Sequence, residues 1–300
     1  MRTVPYPRRS IVPLLAIHIG IDPVAFHIGP AAVHWYGIGY VVAIAVAIYF
    51  CRRYLHNRGL TDDQFDTVVP LAIAAGFVGG RLYFLLQNNF FWYLRHPLEM
   101  FAVWDGGMAF FGAILGGALA VALFAWRKHW PLAPMCDVAA MFALMGQPIG
   151  RFGNIINGDI LGAPTHLPWG FVYTNPHSFA ASNTIAYQPA AIYEMLCNLV
   201  LIGALYPIRK RVAPGWFAML YVAGYCITQV IVFFWRDTEP VLALGLKQAQ
   251  LTAIALLAVD VALMALVYAR GHHPFIAARV EAETAPEPVA GPDAVSRETA

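Results

Sequence analysis

Residues 150 to 162 read Gly-Arg-Phe-Gly-Asn-Ile-Ile-Asn-Gly-Asp-Ile-Leu-Gly and hold one arginine, two asparagines, one aspartate and four glycines. Arg151, Asn154 and Asn157 recur at i, i+3 and i+6, so a helix carried through them sets all three near one face. A guanidinium is a planar fork of donors that matches a phosphate bidentately. Asparagine adds neutral donors and acceptors. The glycines, among them Gly158 and Gly162, let the backbone turn and let a ligand come close. The stretch ends a long apolar run, Met135 to Ile149. An arginine near mid-bilayer costs about 2.5–3.5 kcal/mol on insertion scales and normally faces a cavity. These residues predict a polar pocket for an anion, sunk into a membrane protein.

Other polar residues interrupt apolar surroundings in the same way. Arg81 follows Gly79-Gly80 inside a second apolar run. The glycines suit close helix contact, but the arginine needs a partner or a water-filled space. Glu194 lies within Gln188-Pro189-Ala190-Ala191-Ile192-Tyr193-Glu194, and Arg236 closes another run. A buried ion pair between Glu194 and an arginine is as good a reading as a ligand site. His34-Trp35-Tyr36-Gly37 suits an aromatic belt at the outer interface.

The elements that must position these groups are membrane helices. Of 300 residues, 59% are hydrophobic and only 12% charged, against about 25% charged in soluble domains. Seven apolar runs approach the ~20 residues that a span needs: Ala31–Cys51, Val68–Leu86, Gly107–Trp126, Met135–Ile155, Pro189–Pro207, Gly215–Trp235 and Gln248–Tyr268. The expected fold is an all-α polytopic membrane protein of about seven helices. Arg8-Arg9 and the short run to Ile17, broken by Pro13, predict an interfacial segment rather than a cleaved signal.

Basic residues set the orientation. Arg52, Arg53 and Arg58, then Arg127 and Lys128, then Arg209, Lys210 and Arg211, and finally Arg270 fall at alternate ends of the runs. The connection from Gly158 to Gln188 holds no lysine or arginine. The N-terminus is therefore expected outside and the C-terminus in the cytoplasm, against the vote of Arg2, Arg8 and Arg9. Residues 1–270 form the expected membrane domain. Residues 271–300, rich in Ala, Pro and Glu, predict a disordered cytoplasmic tail. A net charge of +2 gives no case for nucleic acid. Cys51, Cys136, Cys197 and Cys226 lack metal-ligand spacing and read as small hydrophobes, so no metal or cofactor is expected.

The order of these motifs resembles that of the bacterial prolipoprotein diacylglyceryl transferases, over roughly Ile21 to Tyr268. Their signature, Gly-Arg-x-Gly-Asn-Phe-x-Asn-x-Glu-x-x-Gly, differs here at Ile155 and Asp159. Asp22-Pro23, Gly29-Pro30 and His34-Trp35-Tyr36-Gly37 resemble the family's opening. Trp104-Asp105-Gly106-Gly107-Met108-Ala109-Phe110 resembles its third-span entry. Four departures stand out. Phe111 replaces the histidine usually taken as the catalytic base, and Gln188 replaces the histidine before Pro189. Gln229 and Phe233 replace an arginine and a glutamate. Losing both members of a buried pair can be nearly neutral where losing one is costly, so the last two read as coordinated divergence.

The resemblance implies transfer of the diacylglyceryl group of phosphatidylglycerol to a lipobox cysteine thiol in the signal peptide of a prolipoprotein, within the bacterial inner membrane. It implies catalytic roles for Tyr36, Arg151, Asn154 and Asp159. It implies substrate contacts for His34, Arg81, Asn157, Gly158, Gly162, Glu194 and Arg236. The proton acceptor stays open among His34, Asp159, water and the leaving phosphate. Two alternatives remain beside an active transferase: a homologue that binds lipid or lipoprotein without turnover, and an anion or lipid transporter built on buried arginines.

Overall fold

A computed structural model describes residues 13, 15–29, 31–88, 90–102, 107, 109–236 and 241–275, with only the backbone of Ala31, Phe110 and Phe111. Arg2, Arg8, Arg9, Trp104 to Gly106, Met108 and residues 276–300 lie outside the described residues, and so do the readings placed on them.

The apolar runs fold as helices, each stopped by local chemistry. After α1 (Trp35–Leu55) the chain turns through Gly59 at φ 66° into α2 (Asp62–Gln87). There Thr61 and Gln64 form a reciprocal capping box that satisfies two orphan N–H groups. A short helix, α3 (Phe90–Arg95), leads to α4 (Phe110–Lys128), whose last turn carries Arg127 and Lys128 where the helix dipole favours cations. The signature lies in α5 (Leu132–Asn157). The remaining helices are α6 (Ala190–Ile208), α7 (Trp216–Val232) and α8 (Gln248–Ala269).

Among the described residues, five of these are long and apolar enough to cross a membrane, and α7 is a shorter apolar helix. The apolar window of α8 is only 11% buried within the protein, so most of that helix offers its side chains to lipid. The chain is a polytopic membrane protein.

The fold is mostly helical rather than all-α. Strand β1 (Ile17–Ile19) pairs in parallel with β4 (Phe171–Tyr173). Strand β2 (Val24–Ile28) pairs antiparallel with β3 (Ala31–His34). Strand β5 (Val241–Ala243) pairs with β6 (Leu246–Lys247). The first helix accordingly starts at Trp35, not Ala31. Gly29, at φ 58°, turns the chain back, and the pairing with β2 takes the backbone groups of residues 31–34.

Two helix pairs carry most of the packing: α1 on α5 and α2 on α4. The second pair meets through glycines. A Cβ on Gly79 would lie 2.5 Å from the Gly112 carbonyl oxygen and 2.8 Å from the Gly116 Cα. Small residues allow this backbone approach, which stands in for the hydrophobic drive that lipid removes.

The ends of α1, α5 and α7 farthest from the signature are tied by a buried ion pair. Arg58 Nε lies 3.2 Å from Asp137 Oδ2, with both side chains almost fully buried. Arg58 also donates to the carbonyls of Val212 and Arg209, each at 2.7 Å. Asp137 accepts from the N–H groups of Gly215 and Ala218, each at 2.9 Å, and so caps the start of α7. Arg58 is therefore a core residue as well as one of the basic residues at that end. The chain after α8 returns to the same place: Ala213 N–H donates to Pro274 O at 2.9 Å, and Val212 bridges Phe275.

Removing one member of a buried, hydrogen-bonded pair typically costs about 3–5 kcal/mol. Asp137→Ala should therefore lower the thermal unfolding midpoint in detergent far more than the double change Arg58→Met with Asp137→Leu. An Asp137→Ala protein as stable as the parent would contradict this account.

Candidate functional site

Five helix ends or turns converge at the opposite end of the bundle. Arg151 and Asn154 ride on one face of α5, as their spacing predicts. Gly158, at φ 71°, ends the helix and turns the chain so that Asp159 comes back beside Asn154. The Asn154 amide donates to both Asp159 oxygens, at 3.1 and 3.0 Å. Arg151 Nη1 reaches Asn154 Oδ1 at 3.5 Å. A Cβ on Gly158 would strike the Tyr173 ring at 2.9 Å, and the Tyr173 hydroxyl donates to Ile155 O at 2.9 Å. The turn is thus held from outside by β4.

Glu194, in the second turn of α6, is 1% exposed. Its carboxylate meets Arg151 Nη2 at 2.6 Å and Arg236 Nη1 at 3.4 Å. A buried carboxylate is tolerable only when paired, and here two guanidinium groups from different elements share it. The ion-pair reading of Glu194 holds, and its partners are the cations of the candidate site.

Arg236 is brought in by backbone contacts. Gly162 and Arg236 form an antiparallel bridge, Ala163 N–H donates to Trp235 O at 3.2 Å, and Gly162 N–H donates to Gln188 O at 2.9 Å. A Cβ on Gly162 would fall 2.6 Å from Trp235 O and 2.7 Å from Gln188 Cβ. Glycine is required there because three chain segments cross with no room for a side chain.

Tyr36 stands across α5. A Cβ on Gly153 would lie 2.9 Å from the Tyr36 ring, and the Tyr36 hydroxyl shares a 2.9 Å hydrogen bond with that of Tyr40. Asn157 is 7% exposed, and its Oδ1 is buried without a hydrogen-bond partner among the described residues.

Two expected residues sit apart from this cluster. His34, the residue before α1, is exposed and makes no side-chain cap. Arg81 is buried and donates to the carbonyls of Glu99 and Met100 at 2.7 and 2.9 Å, and to Gly107 O at 2.9 Å. It folds the connection between α2 and α4 around its guanidinium.

Asp159 lies beyond the end of α5. Protein around its carboxyl disfavours the charged form and pushes its pKa up. The Asn154 hydrogen bond and the charges of Arg151 and Arg236 pull the other way. The arrangement offers two guanidinium groups, a carboxylate of raised pKa and a tyrosine hydroxyl at the lip of a membrane-embedded bundle. It suits stabilising negative charge on a phosphate and accepting a proton close by.

Sequence reasoning passed over three supporting contacts: the Tyr40 hydroxyl, the main chain of Gln188, and the Phe233 ring below Arg236. The i, i+4 spacing of Tyr36 and Tyr40 was a readable signal for the first. The other two depend on chain crossings that no spacing reveals.

The profile of the family described as prolipoprotein diacylglyceryl transferase matches residues 23–266. A phosphatidylglycerol–prolipoprotein diacylglyceryl transferase of Geobacter sulfurreducens is 35% identical over 254 residues, covering 83% of this chain and 94% of its own. A protein of the same name from Cupriavidus metallidurans is 31% identical over 277 residues, covering 88% of this chain and all of its own. One from Rhizobium leguminosarum bv. trifolii is 33% identical over 227 residues, covering 73% and 80%.

Proposed function

The chain belongs to the prolipoprotein diacylglyceryl transferase family, and on that premise we propose that Arg151 and Arg236 receive the phosphate of phosphatidylglycerol while Asp159 takes the thiol proton. The chain is a bacterial inner-membrane enzyme that transfers the diacylglyceryl group of phosphatidylglycerol to the cysteine thiol of a prolipoprotein.

The reaction forms a carbon–sulfur bond and breaks the carbon–oxygen bond to the phosphate. The nucleophile is the thiolate, so the thiol must lose its proton. The leaving group passes from a singly charged diester to glycerol phosphate with a second negative charge. That growing charge is what fixed donors in a low-dielectric site stabilise best. The Arg151–Glu194–Arg236 cluster is the observation that supports this reading most, because it gathers two guanidinium groups around one carboxylate. As charge builds on the phosphate, Arg151 exchanges part of its pairing with Glu194 for the phosphate oxygens. Asn154 holds Asp159 beside Arg151. Tyr36 and Asn157 line the pocket, and Gly158 and Gly162 shape its turns. Arg81 contributes by holding the connection that leads into α4.

The proton acceptor is assigned to Asp159 because it joins the cluster and His34 does not. The histidine usual at the Phe111 position is absent, and phenylalanine accepts no proton.

The topology supports the chemistry. We assign seven spans, α1, α2, α4, α5, α6, α7 and α8, with the N-terminus outside and the C-terminus inside. The cluster then lies at the outer face, where signal peptides present the cysteine. The basic residues near Arg58, Arg127, Arg209 and Arg270 then lie at the cytoplasmic face.

Three measurements test these assignments. A lysine supplies a point charge but no fork, so Arg151→Lys should lower kcat/KM about 10²-fold or more, within the range for a lost transition-state donor. Full activity in that variant would make Arg151 structural. Because the Asp159 pKa is raised, its carboxylate is lost at a higher pH than an ordinary aspartate's as pH falls. The acid limb of log kcat/KM should therefore lie above the usual aspartate range and vanish in Asp159→Asn; an unchanged limb would assign the base elsewhere. An impermeant thiol reagent added outside intact cells should label Ser182→Cys and not Lys210→Cys, and the reverse pattern would invert the orientation.

A further inference from the structure

The main chain of Gln188 is fully engaged. Its N–H donates to Ala163 O at 3.0 Å, and its carbonyl accepts from Gly162 N–H and Ala190 N–H, each at 2.9 Å. Its side chain is left over: Oε1 is buried and has no hydrogen-bond partner among the described residues. An unpaired buried amide oxygen is costly, so this position calls for a donor that the described chain does not supply. The crossing at Gly162 places that position beside the cation cluster. Gly162 and Arg236 form an antiparallel bridge, and the two partners of such a bridge present their side chains on one face. The Gln188 Cβ lies on that face as well, 2.7 Å from where a Gly162 Cβ would stand. Gln188 and Arg236 therefore leave the crossing on the same side, with no side chain of Gly162 between them.

We propose that the Gln188 amide reads the hydroxyls of the phosphatidylglycerol headgroup and so selects this lipid over phosphodiesters whose headgroups carry no hydroxyl. This rests on the reading of the Arg151–Arg236 cluster as the phosphate site. In the headgroup, the first hydroxyl sits on the second carbon from the phosphate ester oxygen. A phosphate at the cluster therefore carries its hydroxyls to the neighbour of Arg236 on the crossing. The phosphate and the acyl esters cannot satisfy the amide oxygen themselves, because they only accept. A hydroxyl both donates and accepts, so it can serve either end of the amide. The terminal torsion of glutamine is broad, and the amide turns toward a headgroup at small cost. The substitution at this position has a chemical sense too. A histidine loses its acceptor on protonation, whereas glutamine offers the same donor and acceptor at every working pH.

The test compares the binding of two short-chain lipids, phosphatidylglycerol and phosphatidylpropanol, to the full-length protein in detergent. They share the phosphodiester and differ only in the headgroup hydroxyls. The parent should prefer phosphatidylglycerol by about 5- to 100-fold, the span of leaving a buried polar group unpaired. Gln188→Met, close in shape but without an amide, should lose most of that preference by weakening phosphatidylglycerol alone. Gln188→Asn, which draws the amide back by one methylene, should also reduce it. Equal binding of the two lipids by the parent would overturn the inference with no variant needed. So would a Gln188→Met protein that weakens both lipids alike or keeps the parent's preference. In each of these cases the phosphate reading stands if Arg236→Leu still weakens both lipids. Unchanged binding of both lipids in Arg236→Leu would overturn the phosphate assignment of Arg236 and this inference with it.

Discussion

A buried carboxylate organises the signature end of this protein. Glu194 is buried in the second turn of α6, where an unpaired charge would be prohibitively costly. Its requirement for cations draws in Arg151 from α5 and Arg236 from beyond α7. Once those side chains are fixed, the rest follows. Asn154 is left to hold Asp159, Gly158 must turn, and Gly162 must let three strands of chain cross. The same constraint recurs at the other end, where Asp137 and Arg58 neutralise each other and tie α1, α5 and α7 together. The bundle is pinned at both ends by buried charge, while its middle packs through apolar and small side chains.

Much of this was readable from residue order. Among the described residues, five of the apolar runs fold as helices long and apolar enough to cross a membrane and a sixth as a shorter apolar helix, because lipid demands that backbone polar groups be satisfied within each segment. The placement of Arg151 and Asn154 on one helix face followed from their spacing. Short-range β pairing was not readable, since two- to five-residue strands carry little periodicity. The strand at Ala31–His34 was hidden in a run that looked continuous with α1. Partner choice was also hidden. Arg81 and Arg151 look alike as arginines inside apolar runs, yet among the described residues one donates to loop carbonyls and the other meets a carboxylate. Only the tertiary path separates them. Asp137 gave a signal that was missed: an acid inside an apolar helix needs a cation, and Arg58 was counted merely as a loop charge.

The substituted positions look different once packed. Gln188 contributes through its carbonyl, which accepts from Gly162 N–H, a role indifferent to the side chain. Phe233 lies under a guanidinium, where an acid and an aromatic ring both offer negative potential. Gln229 accepts through its backbone at the end of α7.

The return of the chain after α8 bears on where the folded unit can be cut or extended. Pro274 and Phe275 lie against Ala213 and Val212, in the same short connection whose carbonyls receive the donors of Arg58. Shortening the protein to its last membrane helix would strip a backbone partner from that connection and loosen the seat of a buried ion pair. A tag or fusion joined beyond residue 275 leaves it covered. The boundary that matters for handling the protein is set by these two backbone contacts, six and seven residues past Tyr268, where the hydrophobic pattern stops.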